Sequence, residues 1–202
     1  MIKRSKSFWK NKKVLITGHT GFKGSWLAIW LSYLGGKILG ISLQPQTIPS
    51  NYYDCQLSKN IKTAFINVQN KKKLEIIVKR FKPDFVFHLA AQSIVLKSFN
   101  EPMNTWHTNL IGTMNLLESL KKLNKKCAVV LVTSDKCYKN IESKKGYKET
   151  DRLGGDDPYS ASKASCEILI HSYINSFFKK KENKIRICSV RAGNVIGGGD
   201  WS

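Results

Sequence analysis

The sequence predicts an α/β protein, a doubly wound parallel sheet with helices on both faces. Three observations carry that expectation. Short apolar, β-branched runs alternate with longer amphipathic stretches along the whole chain. The first apolar run leads at once into a glycine-spaced turn that opens a helix. Later runs end in small or hydroxyl-bearing residues, which leaves room for a ligand at one edge of the sheet.

Residues 13–17 are the first strand, Lys-Val-Leu-Ile-Thr. A helical pattern follows at 25–34, with Leu27, Trp30, Leu31 and Leu34 at three- and four-residue spacing, and Gly35-Gly36 stops it. Between strand and helix stand Gly18, Gly21 and Gly24. One glycine permits the tight turn, one lets the backbone approach a pyrophosphate, and one packs helix on strand. The first N–H groups of the helix then face the phosphates. As a spacing alone this is an ordinary strand–helix turn; in this position it points to a Rossmann-type dinucleotide site.

Residues 37–43 form the second strand. A Rossmann fold commonly places an acid at its end for the adenosine ribose. This chain has Ser42, Leu43 and Gln44 there and no arginine close behind, so the position selects neither NAD nor NADP. Residues 44–60, with Pro45 and Pro49, read as a polar loop. Residues 64–68 read as the third strand, and 71–81 as a helix with Leu74, Ile77, Val78 and Phe81 on one side. Residues 85–91 read as a buried strand ending Leu89-Ala90-Ala91, in which His88 is expected to be a satisfied core histidine.

One long helix is expected over 101–123. Asn109 in its middle costs helix propensity, which suggests a polar task. The fifth strand, 128–133, delivers Thr133, Ser134, Asp135 and Lys136. A helix from 159 to about 180 and a sixth strand at 185–190 complete the pattern, followed by Arg191-Ala192-Gly193-Asn194 and a loop.

Tyr159 and Lys163 are four residues apart and share a helix face. A lysine charge ~4 Å from a phenol, at an effective dielectric of ~20, is worth about 4 kcal/mol. That is enough to bring a tyrosine from about 10 towards 7, so that Tyr159 takes a proton from an alcohol while Ser134 holds it. The same spacing also arises by chance on many helices; the glycine turn and the strand-end serine give it meaning.

Composition narrows the classes. A chain of 202 residues with 42% hydrophobic content supports one sizeable core. No apolar run approaches the ~18 residues of a membrane span, and the basic N-terminus leads into no signal-type segment, so a cytoplasmic location is expected. Cys55, Cys127, Cys137, Cys166 and Cys188 are odd in number and scattered, which favours reduced packing residues over a disulfide framework or a metal site. The net charge of +20 comes mostly from lysines dispersed in surface-type positions. With no basic–aromatic motif, it reads as solvated helix ends and compositional bias rather than a nucleic-acid interface, and it suits a phosphorylated small molecule.

The longer motifs resemble the extended short-chain dehydrogenase/reductase family over essentially the whole chain. They are Thr17-Gly18-x-x-Gly21-x-x-Gly24, His88-Leu89-Ala90-Ala91-Gln92, Thr108-Asn109, Ser134 and Tyr159-x-x-x-Lys163. Within that family, the runs at 18–26, 133–138, 157–163 and 191–201 are similar to the nucleotide-sugar 4,6-dehydratases that act on CDP-glucose. The resemblance implies NAD as cofactor and a redox-neutral dehydration of a nucleotide-sugar substrate. Tyr159 takes the 4-OH proton as C4 gives up hydride, the ketone acidifies C5, water leaves from C6, and hydride returns to C6. It further implies Ser134, Asp135, Lys136, Tyr159 and Lys163 as catalytic residues. Asp135 serves as acid for the leaving hydroxyl, and Lys136 stands where relatives carry a glutamate base.

Cofactor contacts are implied for Gly18, Thr20, Gly21, Phe22, Lys23, Gly24, Asn67, Val68, Leu89, Ala90, Ala91, Asn109, Thr133, Tyr159, Lys163 and Arg191. Substrate contacts are implied for Gln92, Ser134 and Asn194. Asn67 replaces an aspartate that the family commonly directs at adenine. The whole of 1–202 is expected to be the NAD-binding domain, with a substrate domain following in a longer protein that forms a homo-oligomer. Asp135 must start protonated and Lys136 neutral, against their reference pKa values, so burial is expected to assist both. Two other readings stay open: an NAD-dependent nucleotide-sugar epimerase or reductase, and a catalytically idle basic nucleotide-binding domain.

Overall fold

A computed structural model describes residues 2–180 and 182–200, with side chains from residue 5 onward. Met1, Lys181, Trp201 and Ser202 lie outside the described residues, so the last residue of the 191–201 motif is not described. Six parallel strands form one sheet: β1 Lys13–Thr17, β2 Lys37–Ser42, β3 Lys62–Phe65, β4 Phe85–His88, β5 Cys127–Val132 and β6 Ile185–Val190. Their order is β3-β2-β1-β4-β5-β6, the doubly wound arrangement with its switch point between β1 and β4. Thr17 pairs with His88 there, so both strands end at the same level.

The helices are α1 Ile2–Trp9, α2 Phe22–Tyr33, α3 Asn51–Asp54, α4 Leu57–Asn60, α5 Lys71–Phe81, α6 Val95–Asn100, α7 Pro102–Trp106, α8 Gly112–Lys121 and α9 Pro158–Tyr173. Alternation along β1 divides the core into two layers. Val14 and Ile16 pack with Ala28 and Leu31 of α2, whereas Leu15 packs with Leu74, Val78, Leu116, Leu120 and Ile170 from α5, α8 and α9. Each fully buried leucine or isoleucine contributes about 1.5–3 kcal/mol, so the sheet is held from both faces.

Four expectations change. Residues 44–60 are not simply loop: α3 and α4 form because Tyr52 and Leu57 find the core. The third strand lies at 62–65 rather than 64–68, since Asn67 turns back to accept the Gln69 amide at 2.9 Å. The 101–123 stretch is not one α-helix; a π-turn at His107–Ile111 separates α7 from α8. The last helix likewise passes into a π-turn at Ile174–Phe178. Helix α1 has no counterpart in the sequence reading; its Trp9 packs at a tilt against Phe85 and Phe87. No helix among the described residues is long and apolar enough to cross a membrane.

Candidate active site

A cleft of about 770 Å³ runs along the C-terminal ends of the strands. That volume lies within the ~300–1,000 Å³ of small-molecule and cofactor sites. Its first wall is the glycine turn. Gly18 has φ +77°, and a Cβ there would stand 2.7 Å from the Ala90 amide nitrogen, so only glycine lets β1 and β4 close together at the switch point. A Cβ on Gly24 would lie 2.0 Å from the Gly18 carbonyl oxygen. Gly21, the residue before α2, provides no side-chain cap for the first amides of that helix. Those amides are suited to a diphosphate. Thr20, Phe22 and Lys23 also line the cleft.

Ser42, Asn67 and Val68 line the cleft beyond the glycine turn. The Ser42 and Thr20 hydroxyls pair at 2.7 Å, and Thr20 also donates to the Leu43 carbonyl at 3.1 Å. Nearby, the Ser50 hydroxyl and the Asn51 amide nitrogen are buried cleft-side polar atoms with no hydrogen-bond partner. Such groups are destabilising until something satisfies them, which fits a polar ligand in the cleft.

Leu89, Ala90 and Ala91 continue the wall from β4. Behind them His88 is held by two threonine hydroxyls, Thr17 on Nδ1 at 2.7 Å and Thr113 on Nε2 at 3.0 Å. It is the satisfied core histidine the sequence suggested; burial, aided by the Lys163 charge, pushes its pKa down to about 3. His19 sits fully buried against Gly40, its ring filling the space a β-carbon would need, and burial lowers its pKa to about 4.

At the far end β5 delivers Thr133, Ser134, Asp135 and Lys136, and α9 delivers Tyr159. α9 starts at Pro158, and Asp157 caps it by accepting from the Ser160 amide at 2.9 Å. The Ser134 hydroxyl donates to Asp135 Oδ1 at 3.0 Å and accepts from the Lys136 amide at 3.2 Å, on the same wall as the Tyr159 phenol. A hydroxyl, a phenol, a carboxylate and an amine thus meet at one cleft wall, with Asn194 opposite in the loop after β6.

Several of the assigned residues do not stand at the cleft surface or do not have free polar atoms there. Lys163 lies behind the wall, in a small cavity with His88, Thr113, Thr133 and Cys166, and its Nζ is 5.9 Å from the centroid of the Tyr159 ring. At that distance burial dominates: it raises the Tyr159 pKa above its usual value, which Ser134 only partly offsets, and it lowers that of Lys163. The expected lowering of Tyr159 by Lys163 is therefore absent. Asn109 does not line the cleft. It is 1% exposed and exchanges two hydrogen bonds with the Gln92 backbone, at 2.8 and 3.1 Å. Gln92 does line the cleft, but both its amide hydrogens are used, by the Ile94 carbonyl and the Thr105 hydroxyl. Arg191 points away from the cleft to Glu167, 3.0 Å off. Asp135 and Lys136 are exposed at the wall, so these residues supply none of the expected burial. Glu167 escaped the sequence reading. Its one signal is a lone acid four residues beyond Lys163 on a face of small and apolar residues.

Among the described residues no cluster of His, Cys, Asp or Glu could hold a metal ion. Residues 15–195 match the family model described as GDP-mannose 4,6 dehydratase. The chain is 44% identical over 200 residues to CDP-glucose 4,6-dehydratase of Salmonella typhimurium, covering 98% of this chain and 56% of the relative. It is 33% identical to dTDP-D-glucose 4,6-dehydratase of Dictyostelium discoideum, covering 92% and 44%. It thus spans about half the length of these relatives. Among solved structures, an epimerase from Methanothermobacter thermautotrophicus superposes with a TM-score of 0.83 at 24% identity, over 99% of this chain and 56% of that one. UDP-glucose 4-epimerase of Thermus thermophilus, solved with NAD, gives 0.75 at 25% identity, over 89% and 54%. The chain belongs to the GDP-mannose 4,6 dehydratase family, within the extended short-chain dehydrogenase/reductases.

Proposed function

We propose that this chain is the cofactor-binding and proton-transfer half of an NAD-dependent nucleotide-sugar 4,6-dehydratase that converts CDP-glucose to CDP-4-keto-6-deoxyglucose and water. The observation that carries the reading is the meeting of Ser134 and Tyr159 with Asp135 and Lys136 at one end of the cleft. The first pair suffices for alcohol oxidation; the second adds the acid and base that an elimination needs. The 44% identity to a CDP-glucose 4,6-dehydratase supports the same substrate.

NAD fits the residues present. The amides of α2 would take the diphosphate, the Ser42–Thr20 hydroxyls and the unpartnered Ser50 and Asn51 atoms the adenosine side, and Ala90 and Ala91 leave room beside Tyr159. When bound, it supplies the hydride acceptor for C4 and the donor for C6.

Ser134 holds the 4-hydroxyl and Tyr159 takes its proton. The resulting ketone acidifies the C5 proton, which Lys136 removes. Asp135 protonates the departing C6 hydroxyl, which leaves as water. Lys163 stands behind the wall, 5.9 Å from the centroid of the Tyr159 ring, and backs it from that side. As hydride returns to C6, C5 regains a proton from solvent through Lys136, and the proton held by Tyr159 restores Asp135; one water is lost and the cofactor returns to its starting state. An epimerase or reductase needs no Asp135–Lys136 pair.

The test is product NMR after turnover of CDP-glucose with NAD in D₂O, for the wild type and Lys136→Met. The wild type places deuterium at C5. Lys136→Met still oxidises C4, seen as reduced-nicotinamide absorbance, and loses C5 exchange. Unchanged turnover in Lys136→Met contradicts the assignment of Lys136.

A further inference from the structure

Tyr159, Lys163 and Glu167 recur every four residues, so α9 presents all three along one side. Glu167 does not line the cleft, yet its carboxylate is buried, 6% exposed. A buried carboxylate persists only when it is paired and hydrogen-bonded. Here its Oε1 accepts from the Thr133 hydroxyl. Its Oε2 accepts from the Ser189 hydroxyl at 3.1 Å and from Arg191 Nη2 at 3.0 Å.

All three donors sit at the C-terminal ends of β5 and β6, the ends that carry the site. Thr133 precedes Ser134 and Asp135, and its amide donates to the Val190 carbonyl at 2.9 Å. Arg191 precedes Ala192, whose carbonyl accepts the Asp135 amide at 3.1 Å. Arg191 also donates to the Glu149 carbonyl at 3.1 Å and lies over the Tyr138 ring at 4.8 Å, which ties in the excursion between β5 and α9. One carboxylate therefore joins the helix that delivers Tyr159 to the strands that deliver Ser134 and Asp135.

We infer that Glu167 is a positioning residue: its carboxylate clamps the ends of β5 and β6 to α9 and so fixes Ser134 and Asp135 relative to Tyr159. A carboxylate suits the task because it only accepts, and two oxygens can take three donors from two strands. Glutamine in its place turns an NH₂ group towards one of those donors. The clamp stands on geometry alone; its consequence for turnover rests on the dehydratase reading above.

The experiment combines residue-resolved amide hydrogen exchange with steady-state kinetics on the full chain, for the wild type, Glu167→Gln and Ser189→Ala. Hydrogen bonds to a charged group are strong enough that losing one speeds local opening about tenfold or more. In Glu167→Gln the Thr133 and Asp135 amides therefore exchange at least about tenfold faster, while those of Val14, Leu15 and Ile16 in β1 keep their rates. The kcat falls on the order of 10- to 100-fold with KM for the sugar nucleotide within about twofold, the pattern of lost transition-state positioning. Ser189→Ala, which removes one donor and keeps the ion pair, gives a smaller acceleration at the same two amides and covers the case in which Glu167→Gln does not fold. Unchanged exchange at Thr133 and Asp135 in the variants overturns the clamp, as does a uniform rise across all strands. A wild type that never turns over CDP-glucose, combined with faster exchange at those two amides, supports the clamp and refutes the dehydratase reading.

Discussion

Helix α2 begins after Gly21, which offers its first amides nothing, whereas α9 begins after Asp157, whose carboxylate takes both the amide and the hydroxyl of Ser160 at 2.9 and 2.6 Å. Both helices open at the same cleft. An uncapped N-terminus keeps its partial positive charge for an external anion; a capped one has already satisfied it. The β1–β3 half of the cleft is accordingly built to bind through backbone, with glycines that keep side chains out of the way. The β4–β6 half is built to act through side chains, with Tyr159, Ser134, Asp135 and Lys136 at the wall and Lys163 and Glu167 behind it. In the proposed function, catalytic and binding roles divide along the switch point of the sheet.

That division can be broken from either side. The largest effect is expected on the α9 side: Tyr159→Phe removes the proton acceptor without changing the cleft wall, and single-turnover C4 oxidation should slow ~10²–10⁴-fold. On the α2 side, Gly24→Ala forces a β-carbon to within 2.0 Å of the Gly18 carbonyl oxygen, so backbone must move. Overpacking of that kind costs about 1–3 kcal/mol, read as a lower urea midpoint. Gly21→Ala meets Gly18 at 3.5 Å, an ordinary contact, so it should fold normally and lose only dinucleotide affinity.

Acid tests both halves together, since one buried neutral histidine lies under each. His88 and His19 have pKa values of about 3 and about 4 in the folded chain. Both are depressed below the unfolded value of about 6.5, so the unfolded state binds more protons as the pH drops. Their contribution is complete above about pH 6.5 and is lost as the pH falls towards 3–4. By pH 5 each has forfeited about 2 kcal/mol relative to pH 7. Urea denaturation across that range should show the loss, and His88→Asn should remove about half of the pH dependence. The smallest effect is Asp157→Ala, which removes the α9 cap: about 1 kcal/mol of stability, with dinucleotide affinity unchanged by calorimetry.

What the sequence made legible follows from physical range. Strands β1, β2, β5 and β6, α2 and the glycine turn depend on local periodicity and on glycine geometry, and they lie close to where the pattern put them, whereas β4 ends at His88 rather than Ala91. The third strand slipped because β3 is an edge strand with exposed ends and a weak pattern, and its tail Asn67-Val68 is set by packing against Gly112 and by Asn115. The break in the 101–123 helix has Asn109 as its local signal, but its form is set at a distance. It comes from Asn109 reaching Gln92 and Ser162, partners 17 and 53 residues away. The same limit hid Glu167, whose meaning lies in Thr133, Ser189 and Arg191 on two other elements. The Tyr159–Lys163 pair shows the reverse error. Spacing placed both on one face, while burial, invisible in sequence, governs their titration in the opposite direction.

The most direct test of the central claim is a calorimetric titration of the chain with NAD, run on the wild type, Gly21→Val and Tyr159→Phe. Binding through the backbone of α2 predicts a single site in the wild type that Gly21→Val abolishes. Tyr159→Phe should retain it within about fivefold, the loss of one neutral hydrogen bond. Full-strength binding in Gly21→Val, or no binding by the wild type, would contradict the account.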